Sequence, residues 1–423
     1  MERLPGFRDF YPEPLPHPGL WSADARQFIF EQWRATAQRY GFREYDGPPL
    51  EPLELFTTKS GDEIVGQLYN FTDKGERTVA LRPEMTPTLA RMVAAHERNY
   101  KKPIKWFALP QLFRYERQQK GRLREHFQFN ADIIGESDLA ADAELIALLI
   151  DTLRSFGLTA KDFIIRLSSR NAWQEFYDAR SQKSEVRSDQ AHVFFQIIDK
   201  LERETPDESK RKLGLLGFSL DEVNEFIKSG TPTIELAAIL KNLAAGGLGE
   251  FVRVDYQVIR GLAYYTGVVF EAFDVQGEFR AIAGGGRYDN LVKLISGGKV
   301  NLPALGFGMG DVVLLELLKA RNLLPKFEAA LDAFCLIEDE TLRTESLKLI
   351  HDLRGAGYAV DYSLTPAKSD KQFKRALELN SRHTFKLERT ETGELVVKLK
   401  KHPARKEIIT NPLELAAKLS AEE

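Results

Sequence analysis

Residues 112–135 constrain this chain more than any other stretch, because they read as two short strands whose inner faces are polar. A strand turns successive side chains to opposite faces. Arg114 and Glu116 therefore share one face of the first strand, and Gln128, Asn130 and Asp132 share one face of the second. The intervening loop carries Arg117, Lys120, Arg122 and Arg124. Two such strands side by side form a polar floor with cations over one end. That floor suits a ligand with an ammonium group at one end and phosphates at the other.

A chain of 423 residues is too long for one ordinary core and predicts two or three domains. Its 43% hydrophobic and 29% charged residues are those of a soluble globular protein, and the net charge of −3 says little about partners. No apolar run approaches the roughly 20 residues that span a bilayer. Asp9 and Glu13 interrupt any apolar run near the N-terminus, which argues against a signal peptide. The expected setting is cytoplasmic and reducing, without membrane contact. The single cysteine, Cys335, lies in Ala-Phe-Cys-Leu-Ile and is expected as a buried core thiol.

Hydrophobic spacing predicts a helix over residues 19–41, stopped by Gly41. Short strands and turns follow, ending in a helix opened by Thr86-Pro87, where proline's missing N–H costs nothing. A helix over 138–156 and a buried strand over 163–167 come next. Residues 172–247 read as helices without strands, with a capping box at Ser219 and Glu222 and a stop near Gly230. Strands are expected again over 251–259, 267–273 and 279–283, so the helical stretch looks like an insertion in a strand-rich domain. After a helix over Asp311–Ala320, residues 330–418 alternate strand and helix, which predicts a small α/β domain with a largely parallel sheet. Between Lys368 and Lys406 there are 12 Lys/Arg and 5 Asp/Glu, a local balance of +7. Such a basic stretch suits either a phosphate backbone or plain solvent.

Four further segments carry chemistry. In Leu-Arg-Pro-Glu-Met-Thr (81–86), Glu84 and Thr86 stand just before a helix, where a carboxylate could hold an ammonium group and Thr86 could serve as a cap. Arg260-Gly-Leu-Ala-Tyr264-Tyr265-Thr-Gly places an arginine and two tyrosines at a strand end. Ala283-Gly-Gly-Gly-Arg-Tyr-Asp reads as a glycine run between strand and helix, and it lacks the lysine of a P-loop. Gly306-Phe-Gly-Met-Gly310 precedes a helix, so its N–H groups could face an anion or a ring. The seven histidines are scattered, and neither a metal-binding spacing nor a Gly-x-Ser-x-Gly elbow occurs. A group-transfer enzyme working by binding and electrostatics fits these features, with no resident metal.

Taken together, these segments resemble the histidyl-tRNA synthetases, a family of class II aminoacyl-tRNA synthetases. The resemblance runs from Leu4-Pro-Gly-Phe-Arg-Asp-Phe10 and Pro48 through 82–84, the second class II motif at 113–128, and the arginine-tyrosine-tyrosine and Gly-Gly-Gly-Arg-Tyr-Asp elements. It implies an α+β catalytic domain over 1–326, built on an antiparallel sheet flanked by helices, with a helical insertion at about 172–247. It also implies an α/β anticodon-binding domain over 327–423. The implied reaction joins L-histidine and ATP, with Mg²⁺, into histidyl-adenylate and passes the histidyl group to tRNA(His), in a homodimer. By position, Glu84, Met85, Thr86, Gln128, Asp132, Tyr264 and Tyr265 belong to the histidine site. Arg114 and Arg260 touch both histidine and the reacting phosphate and are the catalytic pair. Glu116, Arg122, His126 and Gly308 belong to ATP, with Arg114, while Gln119, Lys371 and Lys374 belong to the tRNA.

The chain departs from the family pattern at three places. Asp311-Val-Val stands where the third motif carries Glu-Arg, His126 where a phenylalanine stacks on adenine, and Ala263 where an aspartate precedes the tyrosines. The missing arginine leaves Lys120, Arg122 or Arg124 to hold the outer phosphates. It also keeps a rival open: a histidine-sensing paralogue resembling the regulatory subunit of ATP phosphoribosyltransferase. An RNA-binding protein on the same scaffold is a third reading.

Overall fold

A computed structural model of the chain describes residues 2–60, 62–115, 123–181, 190–201, 204–259, 264–327, 331–403 and 407–420. Two compact units emerge: Met1–Tyr11 with Gly19–Pro325, and Pro12–Pro18 with Lys326–Glu423. In the first, a sheet of nine strands runs in the order Val252–Val254, Phe163–Ser169, Val268–Asp274, Ala283–Arg287, Ala304–Gly310, Glu125–Ile134, Ile104–Ala108, Arg43–Glu44. The short strand Gln111–Phe113 pairs with Glu125–Ile134 off this path. All pairings are antiparallel except the outermost one at each edge. The architecture is therefore the antiparallel sheet with flanking helices that the resemblance implied.

One face of the long strand Glu125–Ile134 is apolar and packs on helices. Phe129 meets Trp33 of the helix Ala23–Arg39, ring centroids 5.7 Å apart and nearly parallel. The other face carries the polar side chains that the alternation predicted. The first helix starts at Ala23, later than residue 19, because Trp21–Ser22 pairs in parallel with Phe10–Tyr11. Ser22 caps it by accepting from the Ala25 N–H, a bond worth about 1 kcal/mol. The helices opened by Thr86 and ended by Gly230 begin and end where expected. Ser219, however, accepts from the N–H of Asp221, and Glu222 pairs with Arg180, so the reciprocal capping box does not form.

The glycine segments required correction. Gly284, Gly285 and Gly286 lie within the central strand Ala283–Arg287, and Gly306–Gly310 lies within Ala304–Gly310. Both strands pair on both sides, so they are ladder rather than loop. The expected strand over 279–283 shifts onto the glycines, and the one over 251–259 shrinks to Val252–Val254. Glycine is depleted in strands because it has no side chain to pack. Here that absence is required: a Cβ on Gly285 would lie 2.3 Å from the Gly306 carbonyl oxygen and 2.6 Å from the Phe307 Cβ.

The helices between 170 and 245 enclose an aromatic cluster of Trp173, Phe176, Tyr177, Phe194 and Phe218. Trp173 Nε1 donates to the Tyr256 carbonyl at 2.9 Å and ties this cluster to the chain that returns to the sheet. The second unit holds five strands in the order Val360–Tyr362, Ala333–Cys335, His383–Arg389, Leu395–Lys401, Glu407–Thr410. Two of its pairings are parallel and two antiparallel, so the sheet is mixed rather than largely parallel. Cys335 is buried there as a free thiol, and burial pushes its pKa up to about 12. Among the described residues no helix is long and apolar enough to cross a membrane.

Candidate active site

The polar face of Glu125–Ile134 forms the floor of a cavity lined by Gln128, Asn130 and Asp132. Glu84, Thr86, Arg114, Tyr264, Tyr265 and Tyr288 also line it. Gly284, Gly306, Phe307 and Gly308 complete the lining. The strand glycines create the room: a Cβ on Gly306 would lie 1.9 Å from Asp132 Oδ1, and one on Gly308 would lie 2.7 Å from the Gln128 amide carbon. Asp132 and Gln128 thus fold over a neighbouring strand that has no side chains at those points.

Several other motif residues act as braces. Arg82 Nη1 donates to Asp46 Oδ1 at 3.0 Å and to the Gly47 carbonyl at 2.6 Å, while its Nε donates to the Gln111 carbonyl at 3.1 Å. Glu84 follows and accepts from the Tyr264 hydroxyl at 3.1 Å. Arg114 Nε donates to the Pro83 carbonyl at 3.0 Å, which fixes the arginine beside Glu84. Arg287 is buried and donates to Asp142 at 2.9 and 2.5 Å and to the Glu136 and Asp138 carbonyls. Asp289 accepts from the Thr266 hydroxyl and the Ala304 N–H, each at 3.1 Å. Between them Tyr288 turns inward, and its hydroxyl donates to Asp132 Oδ1 at 2.5 Å.

Burial dominates the electrostatics. It pushes the Asp132 carboxyl up to about 7, against the opposing pull of the Tyr288 hydrogen bond. It pushes Asp142 up to about 6, partly offset by Arg287. The Tyr288 hydroxyl is held well above its ordinary range by burial and by the neighbouring Asp132 charge, so it is a donor at neutral pH.

Met85 and His126 do not join the cavity. Met85 is fully buried, with its sulfur 3.6 Å from Arg82 Nη1, because the helix Thr86–His96 turns that position into the core. His126 shares the strand face of Gln128, Asn130 and Asp132 but lies one step beyond the lining, where a Cβ on Gly310 would be 4.0 Å from its Cδ2. Arg124 is also absent from it; its guanidinium stacks 4.4 Å from the Tyr115 ring centroid. Glu116, Gln119, Lys120, Arg122, Arg260 and Ala263 lie outside the described residues. In the second unit, Lys371 and Lys374 are exposed on the helix Ser369–Glu378. Buried Gln372 sets that helix face by donating to the Ile337 and Ala367 carbonyls at 2.7 and 2.8 Å.

Sequence reasoning did not assign roles to Asn130, Tyr288 or Arg8. All three stand in motif segments, and period two already put Asn130 on the site face. Arg8 is a buried hub: Nε donates to Glu125 Oε1 and Nη1 to Asp311 Oδ2, each at 2.7 Å. Asp311 Oδ1 also accepts from the Phe127 N–H at 3.0 Å. The residue at the point of departure after Gly310 is therefore a structural anchor beneath the floor.

A family model described as histidyl-tRNA synthetase matches residues 20–311. The histidine–tRNA ligase of Opitutus terrae is 46% identical over 96% of this chain and 95% of its own length. The chloroplastic/mitochondrial histidine–tRNA ligase of Arabidopsis thaliana is 38% identical over 91% of this chain and 80% of its own. Among solved structures, histidyl-tRNA synthetase from a Nostoc species superposes with a TM-score of 0.75 at 22% identity, over 98% of each chain. The apo enzyme of S. aureus gives 0.73 at 23% identity, over 99% of this chain and 100% of its own.

Proposed function

This chain belongs to the histidyl-tRNA synthetase family, and on that premise we propose that the cavity beneath Tyr264 and Tyr265 is where it activates histidine. The activity is that of an ATP-dependent histidine–tRNA ligase. The sensor-like alternative has less support, since curated relatives with the ligase name cover nearly the whole chain.

The observation that carries the site assignment is the Tyr288–Asp132 pair on a floor cleared by Gly306. In this reading the imidazole lies over Gly306 and donates to Asp132. Glu84 and Thr86 take the α-ammonium group, and Tyr264, bonded to Glu84, closes that end. Gln128 and Asn130 supply further polar contacts on the floor. Arg114, anchored on Pro83, holds the histidine carboxylate against the α-phosphate. A carboxylate oxygen attacks that phosphorus, the new O–P bond forms, and pyrophosphate leaves with the electrons of the broken bond. A terminal tRNA hydroxyl then attacks the histidyl carbonyl and releases AMP. Both anions repel, so a fixed guanidinium and fixed orientation are what the protein contributes. Arg260 is assigned the same phosphate from its position in the sequence, and Glu116, Arg122 and Gly308 the nucleotide.

Mg²⁺ is proposed as part of the ATP substrate, bridging its outer phosphates. Among the described residues no three His, Cys, Asp or Glu side chains converge into a cage of their own for it. The second unit is proposed to bind the tRNA anticodon through Lys371 and Lys374, and the chain to act as a cytoplasmic homodimer. Histidine-dependent exchange of label between pyrophosphate and ATP tests the site. Exchange that requires histidine is the expected result, and folded protein without it would overturn the assignment.

A further inference from the structure

The hydroxyl of Tyr45 is buried and has no hydrogen-bond partner among the described residues. Such a group costs stability, so its presence asks for a reason. Its backbone N–H is fixed on the Phe107 carbonyl at 2.9 Å. Its ring leans on Trp106, centroids 5.6 Å apart at 34°. Trp106 is the cross-strand partner of Asp132, so both side chains leave the sheet on the same face. Tyr45 also packs on the apolar cluster that contains Tyr288 and is flanked by Tyr264. Asp132 and Arg82 are the charges that act most strongly on its hydroxyl. Arg82 has no acceptor to offer and is committed to Asp46, Gly47 and Gln111. That leaves the Asp132 carboxylate, of which Tyr288 takes one oxygen.

We propose that Tyr45 is a positioning residue of the histidine pocket, whose hydroxyl donates to the Asp132 carboxylate once the imidazole is bound. The inference rests on the pocket assignment above. Before binding, one donor and deep burial leave the carboxyl prone to keep its proton. When the ring N–H approaches, a second donor from behind favours the ionised form that can accept it. Tyr45 thus touches no substrate but sets the carboxylate that does.

The test is Tyr45→Phe in the full-length chain, assayed by pyrophosphate exchange and by thermal unfolding with and without histidine. The KM for histidine is expected to rise about ten-fold, the value of one hydrogen bond to a charged group. The KM for ATP and kcat stay within about two-fold, and Tm without ligand is equal or higher because an orphaned hydroxyl has gone. The rise in Tm caused by histidine alone shrinks, which reads binding without chemistry. An unchanged histidine KM overturns the proposal, as does an equal rise in both KM values or a fall in the ligand-free Tm. Absence of exchange in the unsubstituted chain would instead remove the pocket assignment itself.

Discussion

The Tyr288 hydroxyl donates to Asp132 Oδ1 at 2.5 Å across 156 residues of chain, and both groups are buried in the candidate histidine pocket. A buried carboxylate with one strong donor is poised but not settled in its charge. Tyr288→Phe removes the hydrogen bond that opposes desolvation, so the carboxyl rises further and accepts a ring N–H less readily. The expected result is a histidine KM raised roughly ten- to hundred-fold in pyrophosphate exchange, with the KM for ATP little changed.

Asp132 itself gives a pH prediction. Its folded-state pKa of about 7 lies above the ordinary aspartate value, so the folded chain holds a proton that the unfolded chain has lost. Folding stability therefore falls as pH rises from near 4 and levels off above about 7. Asp132→Asn removes that penalty: Tm should rise relative to the parent at pH 8 and match it near pH 4, while histidine-dependent exchange is lost. A Tm difference that is the same at both pH values would show that the shift is not felt by folding.

Gly306→Ala puts a methyl group 1.9 Å from Asp132 Oδ1 and 3.1 Å from the Ala131 carbonyl oxygen. The strand is paired on both sides and cannot move away, so Asp132 must leave its rotamer. Exchange activity should fall at least about a hundred-fold. Gly308→Ala meets only the end of the Gln128 side chain, which can turn aside, and should cost much less. Equal losses in the two variants would show that Asp132's position is not what the glycine protects.

Arg8→Ala leaves Glu125 and Asp311 buried without their cation. Breaking a buried pair by removing one partner costs about 3–5 kcal/mol. Urea unfolding should show that loss, and the loss should be smaller at low pH, where protonation of Asp311, whose carboxyl burial holds above its ordinary range, removes part of the uncompensated charge. A change below about 1 kcal/mol at neutral pH would count against the network as an anchor.

Local pattern made much of this molecule legible. Period two placed Gln128, Asn130 and Asp132 on one face, because a strand cannot do otherwise with consecutive residues. The helix Asp311–Ala320 was readable from its apolar stripe of Val312, Leu314, Leu315 and Leu318 behind a glycine. Met85 was misplaced because its position was carried over with Glu84 and Thr86, although the turn into the helix points it to the core. The glycine strands were missed because propensity argues against them, and their reason, a side chain folded over from the next strand, lies outside the segment.

The sequence by itself determined the alternation of polar and apolar faces, the helical stretch after residue 170, and the family to which the motifs belong. Those follow from short-range geometry and from residues a few positions apart. Only the tertiary structure decided that Arg8 meets Asp311, that Arg287 braces Asp142 while its neighbour Tyr288 reaches Asp132, and that Tyr45 packs on Trp106, the cross-strand partner of Asp132. These are contacts between segments far apart in the chain. Burial then sets the charge state of each group, and burial exists only once the sheet has closed over it.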